Sequence, residues 1–348
     1  GVPERLQGPL AGDVAAAGAG PTCPAGPQGP AGADANESCT QCHNDMTTVL
    51  NAKVTQFGAG AHSNGTYYNR GGECAACHNN EGFLARVDYT SASDIYTYAG
   101  PAETGISCYT CHGIHQAYTS DDWALTFADQ VTETILGTKS PDVASVSFKD
   151  YGASNMCLQC HQSRDRGDVP AADATDSLMV TSSHWGPHYG VQGNVLHSSG
   201  GVNIAGDASY PAFGTGHANS IADVSCMDCH MYEGDHSLAV NFDACVECHN
   251  SADEAEDAVE ALHTEIHDLQ FELGALLLSV GSMSEVFEDG ELYGYAPASN
   301  KNSAAQAAGV WNYMVSYQDH SYGVHKPAYM KALLQNSIDA VQAEIDAN

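Results

Sequence analysis

A chain of 348 residues with 43% apolar content can bury an ordinary core and is long enough for two or three domains. Its formal charge of −32, from 43 acidic against 11 basic side chains, argues against nucleic acid or an anionic membrane as a partner, because both demand a basic face. No stretch approaches the roughly 20 apolar residues of a membrane helix, the densest run being Leu273–Val280, so no transmembrane segment is expected.

The chain opens on GVPERLQGPL, which has neither the basic start nor the apolar centre of an export signal, so any such signal has been removed or lies outside this numbering. Residues 1–36 are rich in Pro and Gly. Gly20, Gly26, Gly29 and Gly32 keep a collagen-like triplet frame that Cys23 interrupts. So few triplets cannot hold a triple helix, and an extended, polyproline-like arm is expected instead. Cys23 is the odd thiol, expected to stay free or to pair between molecules.

From residue 37 to 250 the remaining twelve of the 13 cysteines fall into six copies of one pattern. These are Cys39/Cys42/His43, Cys74/Cys77/His78, Cys108/Cys111/His112, Cys157/Cys160/His161, Cys226/Cys229/His230 and Cys245/Cys248/His249, each spaced CxxCH. In a c-type haem site two thiols add to the two vinyl groups of one haem, and the adjoining histidine becomes the proximal iron ligand. Zinc sites and thioredoxin-like pairs also use CxxC but do not need the histidine. Six haem c groups would supply much of the interior, so a fold of helices and irregular coil wrapped around a stacked haem chain is expected. Only fourteen residues separate His230 from Cys245, so those two sites should be immediate neighbours.

Eleven of the 17 histidines are left over, enough to give every iron a second imidazole. His62 stands twelve residues before Cys74, His217 nine before Cys226, and His115 three after His112. Each is expected to fold over a nearby haem or the adjoining one. His263 and His267 lie one turn apart beside the apolar stripe of a helix, and either a helix-surface pair or one haem ligand fits that placement. His197 and His320 have no strong case.

Residues 251–348 contain no cysteine and change to helical periodicity. Helices are expected over residues 251–281, 303–317 and 327–347, with Pro327 in a first turn and an acidic turn, EVFEDGELYGYAPASN, between the first two. Together they make a helical hairpin or bundle. The stripe Met330, Leu333, Leu334, Ile338, Val341 and Ile345 reads as core. The acidic runs SADEAED and FEDGE offer oxygen ligands for Ca²⁺ but lack EF-hand spacing, and a solvated face explains them as well.

Three stretches carry a family resemblance: SSHWGPHYGVQGNVL (Ser182–Leu196), GDHSL (Gly234–Leu238) and Trp311–Ile338. They resemble the multihaem cytochromes related to ammonia-forming nitrite reductase and hydroxylamine oxidoreductase, including exported cytochromes of metal-reducing microbes. The resemblance implies distal haem ligation by His188, His236 and His325, with His184 a rival to His188. It also implies location outside the cytoplasmic membrane. Together with the local candidates the distal set becomes His62, His115, His188, His217, His236 and His325, with His184 and His263 next. The resemblance raises a reductase or oxidase with one open iron as an alternative. The CxxCK motif of many such reductases is missing, however, and electron transfer with other redox proteins or extracellular acceptors is the leading expectation. A homopolymeric cytochrome filament is its farther-reaching form.

Overall fold

The computed structural model describes residues 47–64, 74–87, 104–116, 118–131, 148–163, 169–212, 217 and 224–347. The arm with Cys23 and the first motif, Cys39, Cys42 and His43, lie outside the described residues. The chain is mainly helix and irregular coil.

Local signals set the long helices. Helix α1 is Thr47–Ala59 and α2 is Asn80–Val87. Helix α3, Ala252–Ser279, starts where the Ser251 hydroxyl accepts the Glu254 N–H at 3.1 Å, and Asp253 and Glu254 complement the helix dipole. Helix α4, Ala304–Asp319, opens on a reciprocal cap: Ser303 N–H donates to Gln306 Oε1 and Gln306 N–H to the Ser303 hydroxyl, both at 3.1 Å. It ends where His320 turns left-handed, at φ 55°. Helix α5 is Pro327–Ala347.

These three helices pack on one another and form the main core. Ile266, Leu273 and Leu277 of α3 meet Val310, Trp311 and Met314 of α4, and Tyr329, Met330, Leu333, Leu334, Ile338 and Val341 of α5, all buried. The α5 stripe is thus core. Val180, Trp185, Val191, Val195 and Val202 join the same cluster, so residues 178–202 are fastened to the C-terminal helices. A short ladder helps, with β1 (Leu178–Val180) antiparallel to β4 (Asn300–Asn302).

The segment read as an acidic turn is instead a β-hairpin. Strand β2, Met283–Glu288, pairs antiparallel with β3, Glu291–Pro297, through Asp289-Gly290 with φ of 51° and 86°. Two successive positive φ values are the backbone that an Asp-Gly hairpin turn takes. The acidic runs considered for Ca²⁺ sit exposed at this tip and on the first turns of α3. Among the described residues no three His, Cys, Asp or Glu side chains converge as a bare metal ion requires.

A candidate haem cavity

Five of the six motifs are described, and each occupies a short helical turn. They lie on Ala75–His78, Cys108–Cys111, Asn155–Leu158, Cys226–His230 and the 3₁₀ turn Phe242–Glu247, or directly at their ends. In a helical turn positions i, i+3 and i+4 share a face, so both thiols and the imidazole of CxxCH point one way. The histidine N–H closes the turn on the first cysteine's carbonyl, at 2.9 Å for His112 on Cys108 and His161 on Cys157, and 2.8 Å for His249 on Cys245. None of the ten motif cysteines described here is joined in a disulfide.

These faces open onto a cavity of about 2940 Å³, several times the roughly 300–1,000 Å³ that encloses one small ligand. Its wall holds the cysteines and histidines of all five motifs, together with His62, His184, His188, His217, His236, His263, His320 and His325. Helix α3 divides its work along its length: Ala255, Val259 and Leu262 line the cavity, while Leu273 and Leu277 are in the core.

Four of the proximal histidines face a second histidine across this space. The ring centres are 6.0 Å apart for His161 and His62, 6.0 Å for His78 and His188, 6.3 Å for His112 and His236, and 6.5 Å for His230 and His325. Two imidazoles on opposite sides of one metal, each nitrogen about 2.0 Å from it and each ring centre about 1.1 Å further back, would stand about 6.2 Å apart. The residues present therefore fit an iron between each pair. His217 and His249 both line the same cavity, and burial, then the His249 charge, lowers His217.

Hydrogen bonds at the other ring nitrogen set the tautomer. Nδ1–H donates to the carbonyl of Trp123 from His112 (2.8 Å), of Tyr189 from His188 (2.7 Å), of Leu238 from His230 (3.0 Å) and of Gly234 from His236 (2.8 Å). His161 Nδ1 donates to Gln192 Oε1 at 3.0 Å, and His325 Nδ1 to Asp319 Oδ1 at 2.8 Å. These oxygens only accept, so the proton sits on Nδ1 and the Nε2 lone pair is left for a metal. Burial, with the His161 charge adding, pushes His62 down to about 4, and burial also lowers His161, His217 and His230. A neutral imidazole is the form that ligates.

His115 lies outside this wall. It is exposed, its ring stacks on Tyr118 at 5.6 Å, and its backbone N–H bonds Asp122 at 2.9 Å. His197 is also outside: Nδ1 donates to Gly193 O at 2.8 Å, Nε2 accepts the Lys149 N–H at 3.1 Å, and the ring is held between Phe148 and Tyr151. With both nitrogens bonded to the chain, His197 is structural. His263 lines the cavity beside Tyr322, whereas His267 packs on Phe271. His320, which has no sequence signal, also reaches the wall and stacks on Tyr189 at 5.6 Å.

His62, which precedes the second motif, faces the histidine of the fourth, the motif that adjoins it. The motifs themselves adjoin. Cys77 lies within hydrogen-bonding reach of Cys160, and Cys157 within reach of Cys226. Burial, then the nearby Cys245, pushes the Cys229 thiol up to about 11, so the fifth and sixth motifs are neighbours. Buried Arg86 of α2 fixes the first of these junctions by donating to Gln159 O and Oε1 at 2.6 and 2.7 Å.

Gly193 permits the closest approach at the fourth motif. A Cβ there would sit 2.6 Å from both the His161 carbonyl oxygen and Leu158 Cδ2. Gly193→Ala is expected to cost about 1–3 kcal/mol, read by denaturant unfolding, because backbone and a buried leucine must give way.

No family model matches the chain. It is 26% identical over 340 residues to the C-type polyheme cytochrome OmcC of Geobacter sulfurreducens, an alignment covering 78% of this chain and 43% of that relative. The chain therefore spans less than half the length of the curated relative it matches. The crystal structure of outer cell wall cytochrome OcwA superposes with a TM-score of 0.49 at 18% identity, over 83% of this chain and 50% of that one. The repeated attachment motif, the shared cavity on which its copies converge and the polyhaem relative agree in likening this chain to the multihaem c-type cytochromes.

Proposed function

We propose that the protein binds six haem c groups, each with histidine on both faces, and works as an exported electron carrier. The observation behind this reading is that four of the five described proximal histidines face a second histidine about one hundred residues away in sequence, while the fifth, His249, shares the cavity wall with His217. When bound, a haem with two imidazole ligands exchanges one electron and offers no open coordination position. The chain's part is to present thiols and neutral imidazoles from one rigid wall, to surround them with apolar side chains such as Phe57, Phe83 and Leu158, and to hold adjacent motifs together. The distal set this supports is His188, His236, His62, His325 and His217 for the second to sixth motifs. His184, His263 and His320 are then the described candidates for the first, in place of His115.

The facing pairs favour this reading over a reductase, which needs an open iron. Carbon monoxide added to the reduced holoprotein is expected to leave its visible spectrum unchanged. Stoichiometric CO binding by one haem or more would instead support the reductase.

Because CxxCH haems are attached outside the cytoplasm, the reading places the protein at the cell surface or beyond, otherwise in the periplasm. Other redox proteins or extracellular acceptors are its partners. No described helix is long and apolar enough to cross a membrane. Assembly into a filament extends the reading further; a charge of −32 opposes it unless cations screen the surface. Electron microscopy of the secreted fraction across a range of salt distinguishes filaments from isolated particles.

A further inference from the structure

Among the six cavity-lining histidines whose Nδ1 acceptors are given above, His325 differs in what stands behind it. His112, His188, His230 and His236 each donate Nδ1–H to a backbone carbonyl, and His161 donates to the neutral amide of Gln192. His325 alone of these donates to a carboxylate, Asp319 Oδ1, at 2.8 Å. Asp319 is the last residue of α4, 1% exposed, and its other oxygen accepts from the Ser321 hydroxyl. The charge is thus buried, aimed at one ring and shared with a single hydroxyl.

A full negative charge behind a ligating imidazole strengthens its donation to the metal and favours the more positive, oxidised iron. We infer that Asp319 is a positioning residue that lowers the reduction potential of the site formed by His230 and His325 relative to a neutral acceptor in the same place. The inference rests on the reading of those two histidines as the axial ligands of one haem. The adjoining site gives the contrast. Gln192 donates from Nε2 to the Asp319 carbonyl at 3.2 Å while its Oε1 receives His161, so neighbouring sites are tied together with one charged and one neutral acceptor. A step in potential is thereby built between them.

The test is spectroelectrochemistry of the full-length holoprotein, with ferric low-spin EPR as a second readout. Asp319→Asn, fully loaded with haem, is expected to move about one-sixth of the optical change to higher potential and to alter one low-spin EPR signal. Asp319→Glu should return both toward the original values. Ser321→Ala removes the competing donor, leaves more charge on His325 and should shift the same haem to lower potential. Where Asp319→Asn does not assemble, Ser321→Ala decides alone. Potentials unchanged in the loaded variants, or raised in Ser321→Ala, would overturn the inference. His325→Ala separates this from the ligand reading: it should open one iron to CO, and if every iron stays six-coordinate the ligand assignment itself fails.

Discussion

Changing Cys157 and Cys160 together to alanine is expected to cost the protein more than one haem's share of its structure. Haem content should fall by one equivalent, and far-ultraviolet dichroism should report lost helix as well. The fourth motif is where the second and fifth meet: Cys160 lies against Cys77, Cys157 against Cys226, and Gln159 receives two guanidinium bonds from Arg86. Between the two cysteines, Leu158 anchors the second core with Phe148, Tyr151 and Leu196. Removing the group that fills this junction leaves buried polar atoms and apolar walls facing a space that water must enter. The matching change at Cys245 and Cys248, where Cys248 is exposed, should also remove one equivalent but leave the dichroism near its original value. Equal structural loss in the two variants would show that the fourth motif is not the junction of the fold.

The second large effect is expected at Trp311. Its ring is 1% exposed, meets Trp185 edge-on at 5.3 Å, and donates Nε1–H to the Gly200 carbonyl at 2.8 Å. Trp311→Ala should cost about 3–5 kcal/mol, by the cavity it leaves and the bond it breaks. Trp311→Phe keeps most of the packing and should lose about 1–3 kcal/mol, chiefly from the orphaned carbonyl. Because Trp185 sits three residues before His188, the alanine variant should also loosen the ligand facing His78. Denaturant unfolding measures the first effect, and CO binding to a single haem in the reduced variant reports the second.

What could be read in the sequence was whatever depends on residues close together in the chain. The CxxCH turns need only one helical turn, and the C-terminal helices carry their own caps at Ser251 and Ser303 and their own apolar stripes. The hairpin was hidden because glutamates interrupt the alternation of β2, although Asp289-Gly290 was a usable turn signal. Histidine pairing was not legible, since it brings His62 to His161 and His112 to His236 through tertiary packing that no spacing encodes. Proximity to a motif misled most at His115, where Asp122 and Tyr118 hold the loop in another arrangement. Asp319 and Gln192 left no trace in the motifs because they bond His325 and His161 from behind, on elements remote from the motifs.

The long-range pairing has a mechanical consequence. A group bonded to a proximal motif and to its distant histidine joins two points of the chain, as a cross-link does. On the proposed ligation, His62 with His161, His78 with His188, His112 with His236 and His230 with His325 would each close a loop of about one hundred residues, for which a single disulfide would remove about 4–5 kcal/mol of unfolded-state entropy. The four loops overlap, so each closure shortens the next. On the proposed ligation the contacts that hold the haems would also knot a loop-rich, strongly acidic chain into one body, and its unfolding is expected to proceed in steps set by the release of axial histidines.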